Sequence, residues 1–193
     1  MPPKAELTKE KIAEAAFELV REHGFEALTA RRIAQHLNCS THPIYGVYGN
    51  MDAIKDDVYQ LAVDYTIDYI SKYEDSNNAR ALNLTLGMLL FAQHEKQLFR
   101  VVYLSDYTKH YLTKSHHKLR EMMYSAIKDI DSRLQSLDES TFEQIFMSLS
   151  IFIIGMGTMI NSNTLELDIR EAESMLIKLY ESVVLREGIE KLN

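Results

Sequence analysis

The chain has 193 residues, of which only seven are glycine and three proline, about 5% where average usage is nearer 12%. That scarcity excludes a β-sandwich or barrel, which needs turn residues roughly every 8–12 positions, and neither G-x-G-x-x-G nor G-x-x-x-x-G-K of the nucleotide-binding folds occurs. The formal charge of −7 is uneven: residues 1–50 hold six basic residues and six glutamates, so the whole deficit lies in 51–193, and only the first 50 residues can approach a polyanion without repulsion.

In chain order, Thr8 is the expected N-cap of a first helix, with Ile12, Ala16, Leu19 and His23 at the 3.6-residue period and Gly24 as a left-handed stop. Glu10, Glu14, Glu18 and Glu22 drift around this helix as a solvated face. A two-turn helix follows, capped by Thr29 and stapled by Leu28 against Ile33. Asn38 reverses the chain in a left-handed conformation that asparagine tolerates. Ser40 is then the expected cap of a second short helix, Thr41 to Tyr48, with Pro43 in the first turn, where no intrahelical N–H is lost, and Cys39 as a buried staple to Ile44. Two short helices so joined make a helix-turn-helix.

Asn50 caps a long fourth helix carrying Ile54, Val58, Leu61, Tyr65 and Tyr69, and residues 75–78 form a turn. Leu82, Leu86, Leu89 and Leu90 mark a fifth helix containing Gly87, and a sixth runs from about His94 to Leu104. Residues 105–114 are ambiguous, although Tyr103, Tyr107 and Tyr111 would align on one helix. A long seventh helix is expected from Ser115 to Leu137. Ser140-Thr-Phe-Glu143 reads as a capping box opening an eighth to about Ser162, and Asp168 with Glu171 opens a ninth that ends near Gly188. Nine helices, and no repeat or flexible linker, define an all-α chain: an N-terminal three-helix helix-turn-helix domain (1–50) and a six-helix ligand-binding and dimerisation domain (51–193).

The run Ile12, Ala15-Ala16, Leu19-Val20, Gly24-Phe25, Leu28-Thr29, Ile33-Ala34, Leu37, Ser40, Ile44-Tyr45, Tyr48 and Asp52-Ala53-Ile54 resembles, without a gap, the DNA-binding domain of the TetR family of bacterial transcriptional regulators. The resemblance implies that the first three helices bind DNA, the fourth connects to a ligand-binding body, and the last two pair with their partner-subunit copies in a four-helix bundle. Thr41 and His42 would then open the recognition helix and reach base edges, with Pro43 against a thymine methyl. Tyr45 matches the tyrosine whose hydroxyl touches a phosphate, Thr29 caps a helix whose N-terminus faces phosphate, and Arg31 would reach a phosphate or guanine edge. Three positions depart from the family pattern: Met51 replaces a lysine, Asn38 a glycine, and Gly46-Val47 bulkier residues that would extend the reach of the recognition helix.

In the body, Tyr65, Tyr69, Met88, Phe91, Tyr103, Tyr107, Met122, Met123 and Met156 are candidates to line a cavity for a small apolar or aromatic effector. Gly155 and Gly157, with Ala172, Met175, Leu176, Leu179 and Val183, are candidates for a dimer seam; close packing within one subunit would explain the two glycines equally well. His94, His110, His116 and His117 lack helical ligand spacing, so no metal or other cofactor is expected. A lone Cys39, a charged start without a signal peptide, and an apolar run (145–160) interrupted by Ser148, Ser150 and Thr158 fit a cytoplasmic protein without a membrane span.

Taken together these features predict a homodimeric, ligand-responsive regulator, most simply a repressor, whose partners are double-stranded operator DNA and a small-molecule effector. The alternative is a helical co-activator or sensor with a degenerate helix-turn-helix, acting through protein partners. No nucleophile–base pair or paired carboxylates suggest an enzyme.

Overall fold

A computed structural model describes residues 7–106, 117–130 and 132–187, and among these every regular element is helical. The helices are α1 (Lys9–His23), α2 (Ala30–His36), α3 (Thr41–Tyr48), α4 (Met51–Ile70), α5 (Arg80–His94), α6 (Lys96–Phe99), α7 (Lys118–Lys128), α8 (Ser132–Gln135), α9 (Glu139–Asn161) and α10 (Ile169–Arg186). A 3₁₀ turn, Phe25–Ala27, follows α1, and a π-helical turn, Arg100–Leu104, continues α6. Two compact units emerge: one from Met1–Tyr65 with Gln97–Tyr107, the other from Thr66–Lys96 with Thr108–Asn193.

In the first unit the expected caps form. The Thr8 hydroxyl accepts from Lys11 N–H and Thr29 from Arg32 N–H, both at 3.3 Å. Asn50 Oδ1 receives Ala53 N–H at 2.9 Å. Ile12, Ile33 and Ile44, one from each of α1, α2 and α3, are fully buried where these helices pack on each other. Each is worth about 1.5–3 kcal/mol of transfer free energy. Asn38 takes the left-handed turn at φ 51°. Three local expectations differ. Gly24 has φ 78° but ψ 173°, because the chain runs on into the 3₁₀ turn instead of curling back over α1; that extended, positive-φ region is open to glycine alone. Ser40 precedes α3 without a side-chain cap bond, and Cys39 is half-exposed instead of buried.

In the second unit α5 is central, packed by α7, α9 and α10 and buried continuously from Leu84 to Leu89. Gly87 is there because the chain passes close: a Cβ would stand 2.5 Å from the Ile70 carbonyl oxygen. Asn161, buried in the last turn of α9, donates to the carbonyls of Ala92 in the last turn of α5 and of Lys96 at the start of α6, at 3.0 Å each, and so ties the two helices together. The expected seventh helix is two pieces, α7 and α8, separated around Asp129 and Ile130. The capping box at Ser140 is also replaced. Asp138 caps α9, its carboxylate accepting Thr141 N–H at 3.0 Å and the Thr141 hydroxyl at 2.7 Å. A carboxylate at a helix N-terminus also meets the macrodipole. Glu143 is thereby released, and takes buried Arg120, 2.7 Å from Oε2. The mid-helix ambiguity at Tyr107 and Tyr111 lies outside the described residues.

Among the described residues α9 is the one helix long and apolar enough to cross a membrane, but its inward face is buried against α5. Ile151, Phe152 and Met159 are exposed on its other side.

Candidate nucleic-acid interface

The short α3 has two faces. Ile44 and Tyr48, four apart, point inward and are buried, so the positions between them must face out. His42, Tyr45, Gly46 and Val47 are exposed there, Tyr45 at 43%, with Thr41 and Pro43 half-exposed at the first turn. Arg31, Arg32 and Thr29 are exposed on α2 and its cap. Among the described residues the side chains of Arg31, Arg32, His42 and Tyr45 are engaged by no other protein group. Aromatic, imidazole and guanidinium groups are left with open hydrogen-bonding capacity beside two helix N-termini, an arrangement suited to phosphate oxygens and base edges. Gly46 leaves a gap in that face: a Cβ there meets nothing within 4 Å.

Behind α3 lies a polar latch that the sequence reading overlooks. The Tyr48 hydroxyl donates to Asp57 Oδ2 on α4 at 2.8 Å, and the Lys9 ammonium of α1 sits 2.8 Å from the same oxygen. Lys9 also lies 5.2 Å from the Tyr48 ring centroid. Lys9, then the Tyr48 hydroxyl, hold the Asp57 carboxyl below its ordinary value, while burial and the Asp57 charge push Tyr48 well above the usual tyrosine range. A tyrosine on an otherwise apolar inward stripe was the available signal, since a buried hydroxyl needs a partner. Arg21 similarly ties α1 to α4, donating to the Tyr65 hydroxyl at 2.8 Å over its ring.

The effector candidates are divided between the units. Tyr65 and Tyr103 belong to the first, Tyr103 stacked 4.9 Å from Phe99. In the second, Tyr69 bonds His94 Nδ1 at 2.8 Å and meets Phe91 edge-on at 5.3 Å. Met88, Phe91, Met123 and Met156 are buried, and Met122 lies against the Ser71 hydroxyl; Tyr107 is outside the described residues. A cavity of about 140 Å³ in this unit is lined by none of them, but by residues of α5, α9 and α10 and the end of α7, Leu176 and Leu179 among them. Of the seam candidates, Ala172 and Leu176 are buried within the subunit and Leu179 and Val183 are half-buried. Met175 is 43% exposed, and Gly157 is buried. Gly155 is exposed with nothing within 4 Å of a Cβ, so it serves no close approach to a described neighbour. No cluster of His, Cys, Asp or Glu able to hold a metal occurs among the described residues.

Residues 12–58 match the model for bacterial regulatory proteins of the tetR family. Solved structures share the fold along nearly the whole chain. A TetR-like transcriptional regulator from Rhodococcus sp. RHA1 is 17% identical, with a TM-score of 0.64 over 96% of this chain and 99% of that one. A TetR regulator from Streptomyces coelicolor is 13% identical, with a TM-score of 0.60 over 96% and 100%. The multidrug binding protein EbrR, solved with imidazole, is 14% identical, with a TM-score of 0.54 over 89% and 88%. No curated protein sequence matches the chain. Residues 12–58 thus match the tetR family of bacterial regulatory proteins, and the chain shares the fold of the TetR-like structures along nearly its whole length.

Proposed function

We propose that the chain is a homodimeric repressor that leaves its operator when a small apolar or aromatic molecule binds in the body. The observation that carries this reading is the outward face of α3 and α2: His42, Tyr45 and Arg31 exposed with uncommitted side chains, beside half-exposed Thr41 and Pro43 and the capping Thr29. Thr41, His42 and Pro43 read bases; Tyr45, Thr29 and Arg31 fix the backbone register. Residues 1–50 form the DNA-binding domain and 51–193 the ligand-binding and dimerisation domain. Dimers arise through α9 and α10, whose outer surfaces expose Ile151, Phe152, Gly155, Met159 and Met175. A two-fold dimer presents two recognition helices to half-sites about 34–36 Å apart. An effector favouring another tilt of α4 shifts that separation, at the roughly 1–3 kcal/mol ordinary for allosteric coupling. The fold shared with EbrR, a multidrug binding protein, supports a ligand-responsive body.

The neutral first 50 residues and Met51 predict modest affinity with a shallow salt slope. The same features, with Gly46, favour the second reading, a sensor acting through protein partners. Retardation of DNA from upstream of the chain's own gene separates the two: a sequence-specific shift supports the repressor, and no shift at low salt removes it.

A further inference from the structure

We infer that the cavity between α5, α9, α10 and the end of α7 is a binding site for one small, uncharged aromatic ring, and that this ring is the effector of the regulator proposed above, on which reading its effector role rests. The cavity, which opens to the surface beside Ile177, has a volume of about 140 Å³, similar to the roughly 150 Å³ of an apolar cavity that takes up benzene and well below the roughly 300–1,000 Å³ of sites for drug-sized molecules. Its walls include Ala81, Thr85, Ile127, Ile153, Leu176 and Tyr180, and among the described residues no charged side chain lines it. The Thr85 hydroxyl is already committed, donating to the Ala81 carbonyl at 2.8 Å. A charged or strongly hydrated ligand would therefore lose its water here without replacement, whereas a ring of six to eight carbons restores the dispersion contacts that the walls lack.

The position links occupancy to subunit pairing. Ile153 and Leu176 sit on the inward faces of α9 and α10, the two helices whose outer faces carry the proposed seam. A ring wedged between them changes the spacing of those helices, so the effector acts through the dimer seam as well as through α4.

Toluene is the probe, read by thermal unfolding and by calorimetric titration of the full chain. Wild type should show a saturable rise in unfolding temperature. Ala81→Leu, which fills the space, should bind toluene at least about tenfold more weakly. Ile153→Ala, which enlarges it, should turn the preference from toluene to naphthalene, and this variant decides the matter if the filled one does not fold. Absence of a saturable response in wild type, or equal binding by all three proteins, overturns the site. Operator retardation is measured separately. A DNA shift that saturating toluene leaves unchanged overturns the effector role, whereas no DNA shift at all overturns the repressor reading and leaves toluene binding to decide the cavity alone.

Discussion

The two units hold the same kind of helix by different means, and the glycines show it. In the first unit α2 and α3 are short, and the helices are delimited by their own neighbours in sequence: Thr8, Thr29, Asn38. In the second, helices are set by what passes them from far along the chain. Gly87 of α5 exists for the backbone of Ile70, and the end of α5 is completed by Asn161, 69 residues from Ala92. Local rules delimit the helices of the helix-turn-helix, which distant contacts such as Tyr48 with Lys9 then dock, whereas the helices of the body are themselves set by distant contacts that leave little trace in spacing.

The sharpest way to break that contrast is to place the same substitution in both units. Gly87→Ala forces a Cβ against backbone that cannot rotate away, and should destabilise the second unit by about 3 kcal/mol or more, seen as a lowered midpoint in urea unfolding. A near-wild-type midpoint would mean that Ile70 yields, and that the contact does not specify the helix pairing.

Next in size is the seam. Ile151→Glu with Met175→Glu adds carboxylates to exposed positions, so the subunit should stay folded while sedimentation shows monomers. Leu176→Glu instead buries an unpaired charge inside the subunit and should unfold it. Dimers surviving the double substitution would place the seam elsewhere. The stripe Ala172, Leu176, Leu179 looks like an interface in the sequence because an apolar period does not say which of two partners it faces. Here Ala172 and Leu176 are buried within the subunit, while Met175 of the same stripe faces outward.

The DNA face is more legible, because i, i+4 spacing separates inward Ile44 and Tyr48 from outward Tyr45 with no other information. Thr41→Ala and His42→Ala should each cost about 1–3 kcal/mol against the preferred sequence while sparing non-specific binding. Tyr45→Phe should weaken all sequences alike by about 1 kcal/mol. Competition retardation with specific and scrambled DNA distinguishes the patterns; wild-type binding by all three variants would discard these contacts. The latch behind that face was not legible, since the pairing of Tyr48 with Asp57 and Lys9 needs α1, α3 and α4 already docked. Tyr48 is an acid whose folded pKa lies above its ordinary value of 10.0, so its stabilising contribution is full below about pH 10 and is lost as pH rises beyond it. Tyr59, pushed up to about 12 by burial, adds to the same alkaline loss. Tyr48→Phe should make the midpoint of unfolding less dependent on pH between about 9.5 and 11.5, while costing about 1 kcal/mol at neutral pH. An unchanged slope would show that the latch is not maintained in solution.

The smallest effect is the most discriminating between a working and a degenerate helix-turn-helix. Gly46 meets nothing, so Gly46→Ala should stabilise the first unit by about 0.5–1 kcal/mol, the ordinary difference between glycine and alanine inside a helix. If α3 lies in the major groove with that face toward DNA, Gly46→Lys should gain affinity and steepen the logarithmic salt slope by about 0.9, one phosphate's worth of counterion release. A protein that binds partners through the same face would gain the helix stability without the slope. Since both variants raise local stability alike, only the salt dependence, measured by retardation across a series of ionic strengths, tells them apart; a lysine that leaves the slope unchanged puts the outward face of α3 away from the nucleic acid.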